Sequence, residues 1–152
     1  MPLEENKAII RRYTEACNKK DLALLEDLVS PDYFHSTLQL RGWEEYKQLE
    51  TMLWKAFPDL HETNDDIIAE GERVCYRIKL AGTHTGVLRG FPHPSGGKIT
   101  LAPTGKKFTI MGVSIKRIVN GKIAESWAVY DFLDFYKQLG VIEYKRFPDK
   151  GS

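Results

Sequence analysis

Apolar residues recur at two different spacings along this chain, and the change of spacing separates an early helical part from a later stranded part. Between Leu3 and Asn18, the residues Ile9, Ile10, Tyr13 and Cys17 fall on one helical stripe. A charged turn, NKKD, and a shorter helix from Leu22 to Val29 follow, and Ser30-Pro31-Asp32 stops that helix. Tyr33 to Leu40 reads as a short strand carrying His35. A third helix then runs from Gly42 to about Phe57, with Trp43, Tyr46, Leu49, Leu53 and Phe57 on one face.

After Pro58-Asp59 the period becomes two. Asp66 to Glu70 and Arg73 to Thr85 form two strands joined at Gly71, the second sending Val74, Tyr76, Ile78 and Leu80 inward. A register carried on without a bulge places His84 on the same face. Gly86 to Gly105 is rich in glycine and proline, and its FPHPSGG segment must be loop. Asn120-Gly121 is a strong hairpin signal, because a two-residue turn needs positive φ at both positions.

Counting outward from that turn pairs Ile118 with Ile123, Lys116 with Glu125, Ser114 with Trp127, Gly112 with Val129 and Ile110 with Asp131 on one face. Val113, Met111, Ala128 and Tyr130 take the other face. Both faces are partly apolar, so the sheet needs cover twice, from its own helices and from more chain or a second subunit. The run FLDFYKQLG closes the domain as a helix with Gly140 as its stop. Helices first and strands afterwards give an α+β class with a mostly antiparallel sheet.

The 152 residues suit one domain with a real core, and a composition 42% apolar and 28% charged is that of a globular protein. The segment 143–152 has little to bury and reads as a mobile tail. A formal charge of +1 with interspersed signs gives no footprint for nucleic acid or an anionic membrane. No run approaches the ~20 apolar residues of a bilayer span, and the amino terminus has no signal-peptide core. Two distant cysteines, Cys17 and Cys75, read as free thiols in a reducing, cytoplasmic setting. His35, His61, His84 and His93 are not at metal-ligand spacing, SGGK at 95–98 lacks the pattern of a phosphate loop, and no covalent nucleophile motif occurs.

The succession AFPDL at 56–60, AEGERV at 69–74, GTHTG at 82–86, PTGKK at 103–107, then NGKIAESW, YD and QLG, resembles the SnoaL-like polyketide cyclase (ester cyclase) family of the nuclear transport factor 2-like group. The likeness runs from about residue 6 to about 141. It implies a cone, in which a strongly curved sheet wraps a pocket plugged by amino-terminal helices. It also implies intramolecular aldol closure of a ring on an anthracycline-type methyl ester, with no metal or cofactor, by an oligomer, dimer or tetramer. The family's acid/base aspartate matches Asp131. Two departures stand out: the stretch at 93–102 lengthens a loop that is short in the family, and Ser114 stands where members often carry histidine.

An aldol closure needs a base for a proton on carbon beside a carbonyl, and a donor for the enolate oxygen. Asp131, walled by Trp127, Val129, Ile110 and Phe132, is expected to have a raised pKa and act as that base, or to cap the closing helix, or both. His84 and His35 are candidate donors or structural hydrogen-bonders. Tyr13 is a candidate at the pocket mouth, Ser114 a weak donor, and Trp54 and Trp127 are stacking surfaces for a flat hydrophobic ligand or core fillers. Lys116 and Glu125 read as a cross-strand ion pair near the open end. The leading expectation is thus a cofactor-free cyclase or isomerase acting on a small hydrophobic carbonyl compound. A ligand-binding or dimerisation module and a hydrolase in the same pocket are the alternatives.

Overall fold

A computed structural model describes residues 2–93 and 95–142; the expected tail at 143–152 lies outside them. The Asn120-Gly121 turn forms with φ of 50° and 75°, which only residues tolerant of the left-handed region adopt cheaply. Its arms are the long strands β7 (Lys107–Val119) and β8 (Lys122–Tyr130). Before them come α1 (Pro2–Lys19), α2 (Leu22–Leu28), β1 (Val29–His35), β2 (Leu40–Arg41), α3 (Gly42–Ala56), β3 (His61–Glu70) and β4 (Arg73–Thr83). Between β4 and β7 lie β5 (Leu88–Pro92) and β6 (Lys98–Leu101), and α4 (Phe132–Gln138) follows β8.

Six strands make one sheet in the order β2-β1-β8-β7-β4-β3. Every pairing within it is antiparallel except that of β1 with β8. The sheet is curved and unclosed. Its concave side receives α1 and α3, whose Ile10, Tyr13, Ala16, Trp43 and Tyr46 are buried against Val74, Tyr76 and Ile78 of β4. The larger aliphatic ones, Ile10, Val74 and Ile78, each contribute about 1.5–3 kcal/mol when fully removed from water. A second cluster joins Phe57, Phe91, Phe108, Phe135 and Leu139 under α4 and the β5-β6 ribbon.

Four expectations need correction. The FPHPSGG segment is not all loop, since its Phe91 and Pro92 end β5, which pairs with β6 as a separate two-stranded ribbon. Pro31 does not precede the first strand but lies within it. The β1-β8 ladder is irregular between Val29 and Phe34, so a residue without an N–H is accepted there. β3 starts earlier, at His61, and carries a bulge between Asp65 and Ile68 where Asp66 has φ of 54°.

The fourth concerns the hairpin register. Ile118 pairs with Ile123, but Arg117 then pairs with Glu125, which leaves Ala124 as an extra residue in β8. Beyond that bulge every β8 side chain changes face, because strand side chains alternate with period two. Lys116 therefore lies opposite Ser126, Ser114 opposite Ala128 and Gly112 opposite Tyr130. The ion pair expected for Lys116 is made instead by Arg117, whose Nε lies 3.2 Å from Glu125 Oε2.

Candidate active site

The concave face encloses a cavity of about 90 Å³. One end is apolar, walled by Leu80, Phe108, Ile110, Phe91, Phe132 and Phe135. The other end is lined by Tyr13, His35, Tyr46, Glu50, Lys116 and Tyr130. Glu50 also borders a smaller adjoining pocket of about 60 Å³ with Cys17, Trp54 and Glu62.

Local rules bring these polar groups together. Tyr46 and Glu50 are one helical turn apart on α3, on the stripe that continues through Leu53 and Phe57. Lys116 belongs to the inward row of β7 with Phe108, Ile110 and Ser114, all of them buried. Its ammonium donates to Ser126 Oγ at 2.8 Å and sits 4.7 Å from the centroid of the Tyr13 ring. Among the described residues it has no carboxylate at salt-bridge distance. The hydroxyls of Tyr13 and Tyr46 share a 2.5 Å hydrogen bond.

Low dielectric perturbs every titrating group here. Burial pushes the Glu50 carboxyl up to about 7, against the Tyr46 hydroxyl and Lys116, which favour its ionised form, and with Glu62, which opposes it. Burial lowers the Lys116 ammonium, partly offset by the charges of Glu62, Cys17 and Glu50. His35 is pulled down to about 4 by burial and by Lys116, so it is neutral at pH 7, and its Nδ1 accepts from Leu38 N at 3.2 Å. The tyrosine hydroxyls of Tyr13, Tyr46 and Tyr130 are raised well above their usual range by desolvation and remain protonated donors. Such a cluster, perturbed and set in a concavity, is a functional-site candidate on physical grounds.

Of the residues singled out from sequence, Tyr13 and His35 line the main cavity and Trp54 lines the smaller pocket. Ser114 is buried on the inward row, but its hydroxyl is spent on the Trp127 carbonyl at 3.0 Å. Trp127 faces away from the cavity, with the Arg73 guanidinium 5.8 Å above its ring. His84 follows the end of β4, is fully buried and packs on Phe57 at 5.3 Å. Its Nδ1 accepts from Thr104 N at 3.2 Å, and it does not line the cavity.

Asp131 also stands elsewhere than expected. The β8 bulge turns Tyr130 inward, so Asp131 is exposed and its carboxylate accepts from Asp134 N at 3.0 Å as the cap of α4. Of the walls expected around it, Ile110 and Phe132 line the cavity beside Tyr130, whereas Trp127 does not line it and Val129 is 73% exposed.

Glu50, Lys116, Tyr46 and Tyr130 were not among the candidates read from sequence. A signal for Glu50 does exist, since it is the acid placed one turn after Tyr46 on an otherwise apolar helix face. Lys116 is legible as the cation in the alternating row Phe108, Ile110, Gly112, Ser114, Lys116, Ile118. Its depth inside the cone is not, because that depends on the bulge.

The SnoaL-like polyketide cyclase family matches residues 7–139. This chain belongs to that family. It is 30% identical over 138 residues to the aklanonic acid methyl ester cyclase DauD of Streptomyces sp. (strain C5), which covers 87% of this chain and 80% of the relative. DnrD of Streptomyces peucetius, another aklanonic acid methyl ester cyclase, is also 30% identical, over 87% of this chain and 88% of its own. Among solved structures, TsrD from Streptomyces laurentii superposes with a TM-score of 0.77 at 24% identity, over 91% of this chain and 97% of that one. The cone described above is therefore the SnoaL-like fold, and the SnoaL-like signature extends from α1 to the end of α4. Among the described residues, no helix is long and apolar enough to cross a membrane.

Proposed function

We propose that this SnoaL-like protein is a cyclase that removes a proton from carbon beside a carbonyl of a hydrophobic, polyketide-like ester and closes a ring by aldol addition. The observation that carries this reading is the split lining of the cavity. Aromatic and aliphatic walls hold an apolar carbon skeleton, and a carboxyl, an ammonium and paired tyrosine hydroxyls meet at the opposite end. A ring closure of this type needs such a division. The walls press two carbons of one molecule together, and the polar end manages one proton and one developing negative oxygen.

The relatives that carry names act on aklanonic acid methyl ester, which supports the ester class of substrate. A β-keto ester is acidic enough at its central carbon for a protein carboxylate to serve as base, so the chemistry calls for neither metal nor cofactor. The cavity is small for a whole polycycle. In this reading it admits the reacting carbonyl end, and the rest of the ligand extends beyond it.

The convex sheet face carries exposed Ile68, Met111, Val113, Ile115 and Val129, which supports a homo-oligomer built on that face. Two unbridged cysteines suit work in the cytoplasm.

The test is deuterium uptake from heavy water at the central carbon of a panel of aromatic and aliphatic β-keto esters, followed by NMR with and without protein. Uptake above the buffer rate on any member, together with a ring-closed isomer where a second carbonyl is in reach, is the expected result. Ligand-induced stabilisation without uptake on any ester would make this a binding module instead.

A further inference from the structure

We infer that Glu50 and Lys116 are the acid–base pair of this reaction, Glu50 taking the proton from carbon and Lys116, with the Tyr13–Tyr46 hydroxyls, holding the enolate oxygen. The inference rests on the ring-closing reading and adds the residues that perform it.

Geometry comes first. Glu50 is the acid and Lys116 the cation on the cavity lining, and each projects from a rigid element, Glu50 from the middle of α3 and Lys116 from the inward row of β7. They are not joined to each other or to another charge at salt-bridge distance among the described residues. A buried ion pair closed on itself would be structural. Lys116 is buried and Glu50 half-buried, and two opposite groups left without an ion pair on the lining of one largely apolar cavity are open to a ligand's polar group.

Asp131, by contrast, is committed to the first turn of α4 on the solvent side. It holds the start of the helix that presents Phe132 and Phe135 to the cavity. Its role is that of a helix cap outside the cavity lining.

The chemistry balances. The Glu50 carboxylate forms an O–H bond to the departing proton, and the C–H pair becomes the carbon–carbon double bond of the enolate. The carbonyl π pair moves onto oxygen, which accepts from Lys116 and from a tyrosine hydroxyl. The enolate carbon then bonds to the second carbonyl carbon, and that carbonyl's oxygen recovers the proton from Glu50. Starting and final enzyme are identical. A base works best when its pKa is close to the working pH, and burial brings Glu50 there.

Titratable groups face Glu50 from every element packed around it, and burial, Tyr46, Glu62 and Lys116 set its value. Tyr13 and Cys17 face it from α1, Tyr33 from β1, Tyr46 from its own helix, Glu62 from β3, Lys116 from β7 and Tyr130 from β8. The anion of Glu62 raises it and the cation of Lys116 lowers it. The two neighbours therefore pull the rate profile in opposite directions.

The experiment measures deuterium uptake against pH for the full chain and for Glu50→Gln, Lys116→Met, Glu62→Gln and Asp131→Asn, with circular dichroism and melting curves for each. The native rate should rise through about pH 7, following the carboxylate form. Glu50→Gln should lower uptake by on the order of a hundredfold to ten-thousandfold at every pH while keeping the fold. Lys116→Met should move the midpoint to higher pH and Glu62→Gln to lower pH, shifts that a merely structural role would not produce. Asp131→Asn should stay within a few-fold of native. Uptake that survives Glu50→Gln, vanishes in Asp131→Asn, or keeps its midpoint in both neighbour variants overturns the assignment and leaves the ring-closing function standing. Absence of uptake from the native protein removes that function and the assignment with it.

Discussion

The two faces of the six-stranded sheet invert the usual arrangement of polar and apolar residues. On the concave side Lys116, Ser114, Ser126 and His35 are at most 7% exposed, whereas on the convex side Val129 is 73% and Ile68 64% exposed. A solvated sheet normally shows the opposite. Polar groups under cover are costly unless something uses them, and an apolar patch in the open is costly unless something covers it. In the proposed reading the inner inversion serves a ligand and the outer one a second copy of the chain.

The largest effect on stability is expected where the inner face is most costly. Glu50 has a folded pKa near 7 against 4.5 for the free carboxyl, so folding favours its protonated form. Its contribution is complete below 4.5 and is lost as pH rises through about 7. Glu50→Gln should therefore leave unfolding free energy unchanged near pH 4 and raise it by about 3 kcal/mol at pH 8. Denaturant melts at both values check this. No gain at high pH would mean that the carboxylate is well solvated, and the contrast between the faces would lose its main support.

Next comes Gly112, on the inner row opposite Tyr130. A Cβ there would lie 2.7 Å from Tyr130 Cδ1 and 2.8 Å from the Val129 carbonyl. Gly112→Ala should cost about 1–3 kcal/mol in a chemical melt, because the ring and backbone must both give way. The neighbouring Val113→Ala, on the outer face and 48% exposed, should cost far less in the isolated chain. Equal costs would erase the distinction between the rows.

That alternation also explains how much of the molecule its sequence revealed. The Asn120-Gly121 turn, the stripes of α1 and α3, the inward row of β4 and the Gly140 stop are local signals, and local signals survive folding. The bulge at Ala124 has no such signature, since nothing in KIAESW distinguishes it from a plain strand. One unpaired residue moved Trp127 and Asp131 to the outside and Tyr130 to the inside. Counting straight through it also set Lys116 beside Glu125 at the open end, whereas the bulge gives Glu125 to Arg117 and closes Ser126 over Lys116. The family resemblance located Asp131 in the sequence, but the side a residue faces depends on register.

Asp131 gives a smaller and sharper test. As the cap of α4 it should lose about 1 kcal/mol on Asp131→Ala and almost nothing on Asp131→Asn, since asparagine caps about as well. Asp21, which caps α2 through Leu24 N at 3.0 Å, is the matched control and should behave alike. If Asp131→Asn instead destabilised the chain as much as Asp131→Ala, its charge would matter beyond the cap, and its place on the outer side would need revision.

The smallest effect on the chain itself belongs to the convex patch. Val129→Ser and Val113→Ser should change the unfolding free energy of dilute protein by no more than about 0.5 kcal/mol, because both side chains are surface-exposed within one copy. Their consequence should appear in association. A second copy laid on this face would cover Met111, Val113, Ile115 and Val129 together, and a paired apolar surface tolerates an introduced charge poorly. Val113→Asp combined with Val129→Asp should therefore bring the mass measured by light scattering down to the 17.4 kDa of one chain, with melting curves otherwise preserved. If the native protein already runs at that mass, the outer inversion has another cause, and only the inner face keeps a functional meaning. If the charged pair leaves a larger native mass intact, association uses a different surface.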